Sequence, residues 1–177
     1  MAARLRALRR DDAPLLQQLR VGNRAFLRPW EPERDESFFT LDAAERAIDS
    51  QEADRAADRG YAFGIFAGDE LVGYVNLNAV VRGVFQNAYL GYAVAEAANG
   101  RGYATTAVRE ATRIAFEELG LHRVQAAVVP RNAASIRVLE KAGFRREGLA
   151  ERYLLIAGTW EDHVLFAVTR DEYRSAE

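Results

Sequence analysis

The sequence predicts one mixed α/β domain, and three observations carry that prediction. A length of 177 residues with 49% apolar content supplies the core of a single ordinary folding unit. Segments of period-two alternation and segments of helical periodicity follow one another along the chain. No internal repeat, low-complexity tail or linker marks a boundary, so one domain over 1–177 is expected.

The elements follow in order. A first strand is expected around Arg4 to Leu8. Asp12 is placed to cap a short amphipathic helix with Pro14 in its first turn, Leu15, Leu16 and Leu19 on its apolar face and an end near Gly22. Phe26 to Phe39 combines prolines, large aromatics and acids, which suits an ordered loop. Thr40 caps a second, mostly exposed helix that runs to about Asp58 and is closed by Gly60. Tyr61 to Phe66 and Leu71 to Asn78 form a hairpin about Gly68 and Asp69, and Tyr89 to Val94 forms a third strand. After the Gly-rich stretch Asn99 to Gly102, a helix runs from about Tyr103 to Leu119 and stops at Gly120. His122 to Val129 reads as a strand blocked by Pro130, Asn132 opens a helix that closes at Gly143, and Phe144 to Ile156 and Thr159 to Val168 read as two long strands around Ala157 and Gly158.

Composition excludes several chemistries. The 24 basic residues against 26 acidic ones leave a net charge of −2, without the broad positive field of a nucleic-acid binder. With no Cys there is no disulfide, thiolate metal site or cysteine nucleophile, and with two His and one Met no metal site is expected. Lys141 is the only lysine, so a Schiff-base mechanism has one candidate residue. The start of the chain lacks a signal-peptide apolar stretch, and no apolar run is long enough to cross a bilayer, so a cytoplasmic location without membrane contact is expected.

The segment YLGYAVAEAANGRGYATTAVREA places strand, Gly-rich turn and helix in sequence. Gly100 and Gly102 let a ligand approach the backbone, and the unpaired N–H groups opening the following helix favour an anion such as a diphosphate. Neither the dinucleotide fingerprint nor a kinase-type phosphate loop is present. Here the chain resembles the GNAT N-acetyltransferase superfamily. The run Asn99, Gly100, Arg101, Gly102, Tyr103, Ala104 is similar to its acetyl-CoA loop, with Asn in place of the usual Gln or Arg at the first position. PRNAASIRVLEKAGFRREG is similar to its Asn-led helix and following Gly-Phe pair, here Asn132 and Gly143-Phe144. FLRPWEPERDE, NAVVRGVFQNAYLGYAV and YLLIAGTWEDHVLFAV extend the likeness over nearly the whole chain, to the ribosomal-protein-alanine N-acetyltransferases of the RimJ type.

The resemblance implies a mixed, mostly antiparallel central sheet, splayed at a cofactor cleft between Tyr89 to Val94 and Arg123 to Val128, with helices on both faces. It implies acetyl-CoA as co-substrate, held by Tyr92, Val94, Asn99, Gly100, Arg101, Gly102, Tyr103, Ala104, Thr105, Asn132 and Arg137. It implies direct attack of an amine through a tetrahedral intermediate, the thioester carbonyl accepting a backbone hydrogen bond near Val94. The Tyr that many members use as general acid is replaced by Leu139; Ser135, one helical turn earlier, takes that role by analogy with the RimJ/RimL-like subgroup. Glu31 and Glu96 head the candidates for the general base, ahead of Glu161 and Asp162. The acidic run from Glu31 to Glu36 is expected either to attract a basic acceptor tail or to be a solvated loop.

The acceptor implied is the N-terminal amine of a protein beginning with Ala or Ser, a ribosomal protein first of all. A small-amine acetyltransferase and a non-catalytic acetyl-CoA sensor remain as alternatives. Asn132 is also a plain helix cap, and Arg101 and Arg137, in a chain this rich in Arg, are equally compatible with surface roles.

Overall fold

The computed structural model describes residues 3–174. Its centre is a seven-stranded sheet: β1 (Arg4–Arg6), β2 (Tyr61–Ala67), β3 (Glu70–Val81), β4 (Asn87–Val94), β5 (Arg123–Val128), β6 (Arg145–Ile156) and β7 (Thr159–Thr169). The spatial order is β1-β2-β3-β4-β5-β7-β6. Every neighbouring pair is antiparallel except β4 and β5. Six helices accompany the sheet among the described residues: α1 (Ala13–Gly22), α2 (Arg24–Leu27), α3 (Leu41–Ala56), α4 (Tyr103–Arg113), α5 (Ala133–Lys141) and α6 (Arg170–Arg174). None is long and apolar enough to cross a membrane.

Two apolar layers follow from the alternation of the strands. Val75 and Leu77 of β3, Ala88 and Leu90 of β4, and Val124 of β5 face α4 and α5, where Val108, Ala111 and Leu139 are buried against them. Leu16 and Leu19 of α1 and Ala44 and Ile48 of α3 cover the opposite face with Phe66 and Leu71. The thin apolar stripe of α3 is therefore sufficient, because only two of its residues are fully buried.

Several local expectations change. The 26–39 segment is not a plain loop: α2 and two 3-10 turns, Arg28–Trp30 and Glu36–Phe39, give it internal hydrogen bonds. Asp12 does not cap α1. It has helical backbone angles, and its carboxylate accepts from Arg6 at 2.6 and 2.8 Å and from the Arg9 N–H at 2.8 Å. Thr40 does cap α3, accepting from the Ala43 N–H at 3.2 Å, but Asp58, not Gly60, takes the left-handed turn that ends it. The 103–119 helix leaves α-geometry at Ile114, where one wider π-turn runs to Glu118.

β6 forms the outer edge of the sheet. Its pairing with β7 is interrupted between Arg146 and Gly148 and again between Ala150 and Leu154, where Arg152 has a φ of +47°. The hairpin closes on Ala157 and Gly158, both with positive φ, the geometry of a tight two-residue turn.

Candidate active site

Among the described residues, the only parallel pairing in the sheet is also its shortest internal one. β4 and β5 are joined at Asn87↔Arg123, Ala88↔Val124 and Tyr89↔Gln125, and the ladder stops there. From Leu90 onward the two strands separate, which is the splay the sequence led us to expect. The side on which β4's backbone groups point follows from one hydrogen bond: the Ala95 N–H reaches the Val72 carbonyl of β3 at 2.8 Å. Backbone groups alternate sides along an antiparallel strand, so those of Leu90, Tyr92 and Val94 point away from β3 and into the gap. A Val94 N–H aimed at an opening is a donor suited to a carbonyl oxygen that gains negative charge.

The Gly-rich turn leads from this gap into α4. Gly100 and Gly102 have φ of +75° and +81°, and a Cβ built on either meets nothing within 4 Å, so open space lies over both. Gly102 is the N-cap of α4 and supplies no side-chain cap, and the first helical bond runs from Thr106 N–H to Gly102 carbonyl. The N–H groups of Tyr103, Ala104 and Thr105 thus remain for an anion at the positive end of an 11-residue helix. Asn99 and Arg101 are exposed beside them, and Arg137 is exposed on α5. This donor set fits a phosphate-bearing cofactor such as acetyl-CoA: backbone amides, two left-handed glycines and room above them.

Ser135 stands in the first turn of α5, half-buried. Asn132 Oδ1 caps the helix by accepting the Ser135 N–H at 3.1 Å. Tyr92, which projects from β4 on the α4 and α5 side of the gap, brings its hydroxyl to 2.8 Å from Ser135 Oγ and 3.0 Å from the Ser135 carbonyl, to which it donates. Burial pushes the Tyr92 hydroxyl up to about 12, so it is protonated throughout the neutral range. Leu139 is fully buried in the main core and takes no part in this cluster.

On the opposite face, the α1 and α2 helices, the 31–39 segment and strands β2 and β3 enclose a cavity of about 700 Å³. Tyr74 and Asn76 of β3 form part of its wall, and the β4 residues directly opposite them are Ala93 and Gly91. Opposed residues of antiparallel strands share a face, so only small side chains lie between cavity and gap. Glu31 lines the cavity and accepts a short hydrogen bond from the Tyr74 hydroxyl. Burial first, and then the Glu31 charge and hydrogen bond, push the Tyr74 hydroxyl well above its ordinary value. Glu31 is fixed from outside as well, because its carbonyl accepts the Ala157 N–H at 3.0 Å. Next to this segment, Arg131 donates to the Pro29 carbonyl at 3.1 Å, pairs with Glu161 at 2.8 Å and covers the Trp30 ring.

Glu96 does not join this group. Its side chain is exposed and outside the cavity, and its N–H is held at 2.8 Å by Oδ1 of the buried Asn23. Asn23 also donates to the Leu19 carbonyl at 2.9 Å and so ties the turn after β4 to the end of α1. Three of the four acids from 31 to 36 have partners: Glu36 pairs with Arg24, Asp35 accepts from Ser37, and Glu31 accepts from Tyr74 of β3. Sequence reasoning missed Asn23 and Tyr74, whose partners lie 73 and 43 residues away. Asp162 accepts the Arg152 N–H at 2.8 Å in the outer hairpin. His163 is buried, with Nδ1 against the Glu161 carbonyl at 2.9 Å. No cluster of His, Asp and Glu among the described residues has the arrangement of a metal site.

Comparison with known proteins agrees with this geometry. The family profile described as "Acetyltransferase (GNAT) domain" matches residues 3–145. The chain is 40% identical over 166 residues to "Probable N-acetyltransferase YjcK" of Bacillus subtilis (strain 168), covering 93% of this chain and 92% of the relative. It is 37% identical over 164 residues to the "[Ribosomal protein uS5]-alanine N-acetyltransferase" of Escherichia coli (strain K12), covering 92% and 84%. Among solved structures, "Mycobacterium smegmatis RimJ in complex with CoA-disulfide" superposes with a TM-score of 0.93 at 34% identity, over 96% of this chain and 83% of that one.

Proposed function

The chain belongs to the GNAT acetyltransferase family, and from that premise we propose that it transfers the acetyl group of acetyl-CoA to the N-terminal amine of a protein beginning with Ala or Ser, a ribosomal protein in the first instance. The observation that carries the reading is the gap between β4 and β5, flanked on one face by Ser135, with a walled cavity on the other face lined by Tyr74 and Asn76, the β3 residues opposite Ala93 and Gly91. The relatives' names supply the acceptor: one acts on an alanine of a ribosomal protein.

Acetyl-CoA, when bound, supplies an activated acyl thioester. Its diphosphate is assigned to the N–H groups opening α4, with Asn99 and Arg101 at the rim; Asn132 and Arg137 of α5 flank the remainder of the cofactor. The Val94 N–H donates to the thioester oxygen. The acceptor nitrogen forms the new C–N bond directly, so no enzyme nucleophile is needed, in keeping with a chain without Cys. As the C–S bond breaks, Ser135 Oγ–H gives its proton to sulfur. Tyr92 positions that hydroxyl and stays protonated; the proton lost by the acceptor nitrogen balances the one Ser135 gives up, by exchange through solvent. An N-terminal amine has a pKa of about 8, so a modest base suffices. Glu31 is preferred over Glu96 for that role because Glu31 lines the cavity. A cytoplasmic location and a single domain over 1–177 belong to the same reading, supported by the Cys-free composition and the continuous sheet.

The test is release of free CoA with a panel of acceptors. Turnover with Ala- and Ser-starting peptides is expected; turnover with polyamines or aminoglycosides alone replaces the acceptor, and tight acetyl-CoA binding without turnover replaces the activity. Ser135→Ala is expected to reduce kcat by about 10²-fold with acetyl-CoA affinity retained. A kcat within about twofold of wild type removes Ser135 from the mechanism.

A further inference from the structure

Three of the guanidinium groups that line the cavity, those of Arg20, Arg28 and Arg34, have no ion pair among the described residues, and two of them share one aromatic ring. Arg20 of α1 and Arg34 both lie over the ring of Phe38, at 4.1 and 4.5 Å from its centroid. Arg24, in the same wall, is paired with Glu36, but neither Arg20 nor Arg34 has a carboxylate partner within 4 Å among the described residues. The carboxylate whose field reaches Arg20, that of Glu31, is hydrogen-bonded to Tyr74. Arg20 gives one N–H to the Phe38 carbonyl at 3.3 Å, and burial together with the like charge of Arg34 lowers its pKa. Asn76, in the same wall, has a buried Oδ1 with no donor.

A half-buried cation facing a like charge, beside an unsatisfied amide oxygen, is costly unless something fills the space. A carboxylate beside an N–H donor matches both needs, because guanidinium groups bind carboxylates with paired, charge-assisted hydrogen bonds that strengthen as water is excluded. We propose that this cavity selects acceptors carrying a carboxylate close to the reactive amine, with Arg20 and Arg34 receiving the carboxylate and Asn76 Oδ1 accepting an N–H of the acceptor. The proposal rests on the acetyltransferase reading and specifies its acceptor. The carboxylate has two sources, an acidic side chain just after the peptide N-terminus or the α-carboxylate of a free amino acid.

The experiment compares C-terminally amidated hexapeptides that begin Ala-Glu, Ala-Gln or Ala-Lys, and alanine against alaninamide. Acceptor kcat/KM for the Glu peptide is expected about tenfold or more above the Gln peptide, with the Lys peptide poorest. Arg20→Gln and Arg34→Gln should each abolish the Glu preference while leaving acetyl-CoA affinity unchanged. Arg34 is exposed, so its variant carries the test even if Arg20→Gln does not fold. A Glu preference with alanine no better than alaninamide assigns the side-chain carboxylate, and a further preference for alanine over alaninamide shows that the site also takes an α-carboxylate. Equal rates for Glu and Gln peptides, a Lys preference, or a Glu preference that survives both substitutions overturns the proposal. Calorimetric titration with the N-acetylated Glu and Gln peptides keeps the two readings apart: equal affinities overturn the anion site even without turnover, whereas absence of turnover with every amine overturns only the acetyltransferase reading.

Discussion

Gly73→Ala is a demanding test of the claim that the end of β4 is positioned by its neighbour. Gly73 lies opposite Val94 in the β3–β4 ladder. A Cβ there would fall 2.3 Å from the Ala93 carbonyl oxygen and 3.0 Å from the Val94 Cα. The first contact is about 1 Å shorter than an ordinary C···O approach of about 3.3 Å. Both partners are backbone atoms, so no side-chain rotation relieves the clash, and β4 must shift outward by about that amount. Overpacking of this kind costs about 1–3 kcal/mol. For a chain of this size, each kcal/mol lowers Tm by about 2–4 °C. Because the displaced residue carries the N–H assigned to the thioester oxygen, kcat/KM should fall further than stability implies, by about 10²-fold for a misplacement near 1 Å. Thermal unfolding and CoA release with an Ala-starting peptide measure the two effects. Gly91→Ala is the control, since its Cβ meets only Asn78 Nδ2 at 3.7 Å and should leave Tm unchanged. If Gly73→Ala matches wild type in both assays, the close approach of β3 does not set the position of Val94.

Gly91→Val places a branched side chain between cavity and gap, so acceptor KM should rise or kcat/KM fall by about tenfold or more, while acetyl-CoA affinity, read by calorimetry, stays constant. Gly102→Ala must hold a non-glycine residue at φ +81°, a strain of about 1–2 kcal/mol, and should weaken acetyl-CoA binding by about tenfold in the same titration. Asn23→Ala removes the acceptor of the Glu96 N–H and should cost about 1–3 kcal/mol in denaturant unfolding. Arg123 and Arg145 hold the Glu147 carboxyl at about 2, below its ordinary 4.5. Its stabilising effect is therefore complete above the unfolded value and lost as pH falls toward 2. Glu147→Gln should lower Tm at pH 7, and the difference from wild type should vanish in acid.

Local signals were legible, and contacts between distant segments were not. Thr40 and Asn132 as caps, Gly68 and Asp69 at the hairpin turn, and Gly100 and Gly102 before a helix are dictated by their own residue types within a few positions, and each holds. Asp12 misleads because a carboxylate at a helix start competes between capping and a nearby cation, and Arg6 wins. The π-turn at Ile114 buries Ile114, Ala115 and Phe116 in succession, a run of apolar residues that a helix of ordinary period does not forbid and that periodicity alone does not single out. The pairings that shape the site, Tyr92 with Ser135 and Tyr74 with Glu31, both span 43 residues. They exist because strand order brings β3 and β4 between α1 on one face and α5 on the other, which periodicity alone does not specify.

The interrupted edge of β6 has a consequence for behaviour in concentrated solution. A long outer strand with Leu149, Leu154 and Leu155 exposed would offer a foreign chain a row of free N–H and C=O groups on which to add a strand. The two breaks in register leave regular pairing only at Arg145–Arg146, Gly148–Ala150 and Leu154–Ile156. No segment is then long and flat enough to template a growing sheet. Deleting Arg152 removes the left-handed residue from the second break and is expected to lengthen the regular part of the edge, read as faster thioflavin-positive aggregation than wild type in concentrated solution.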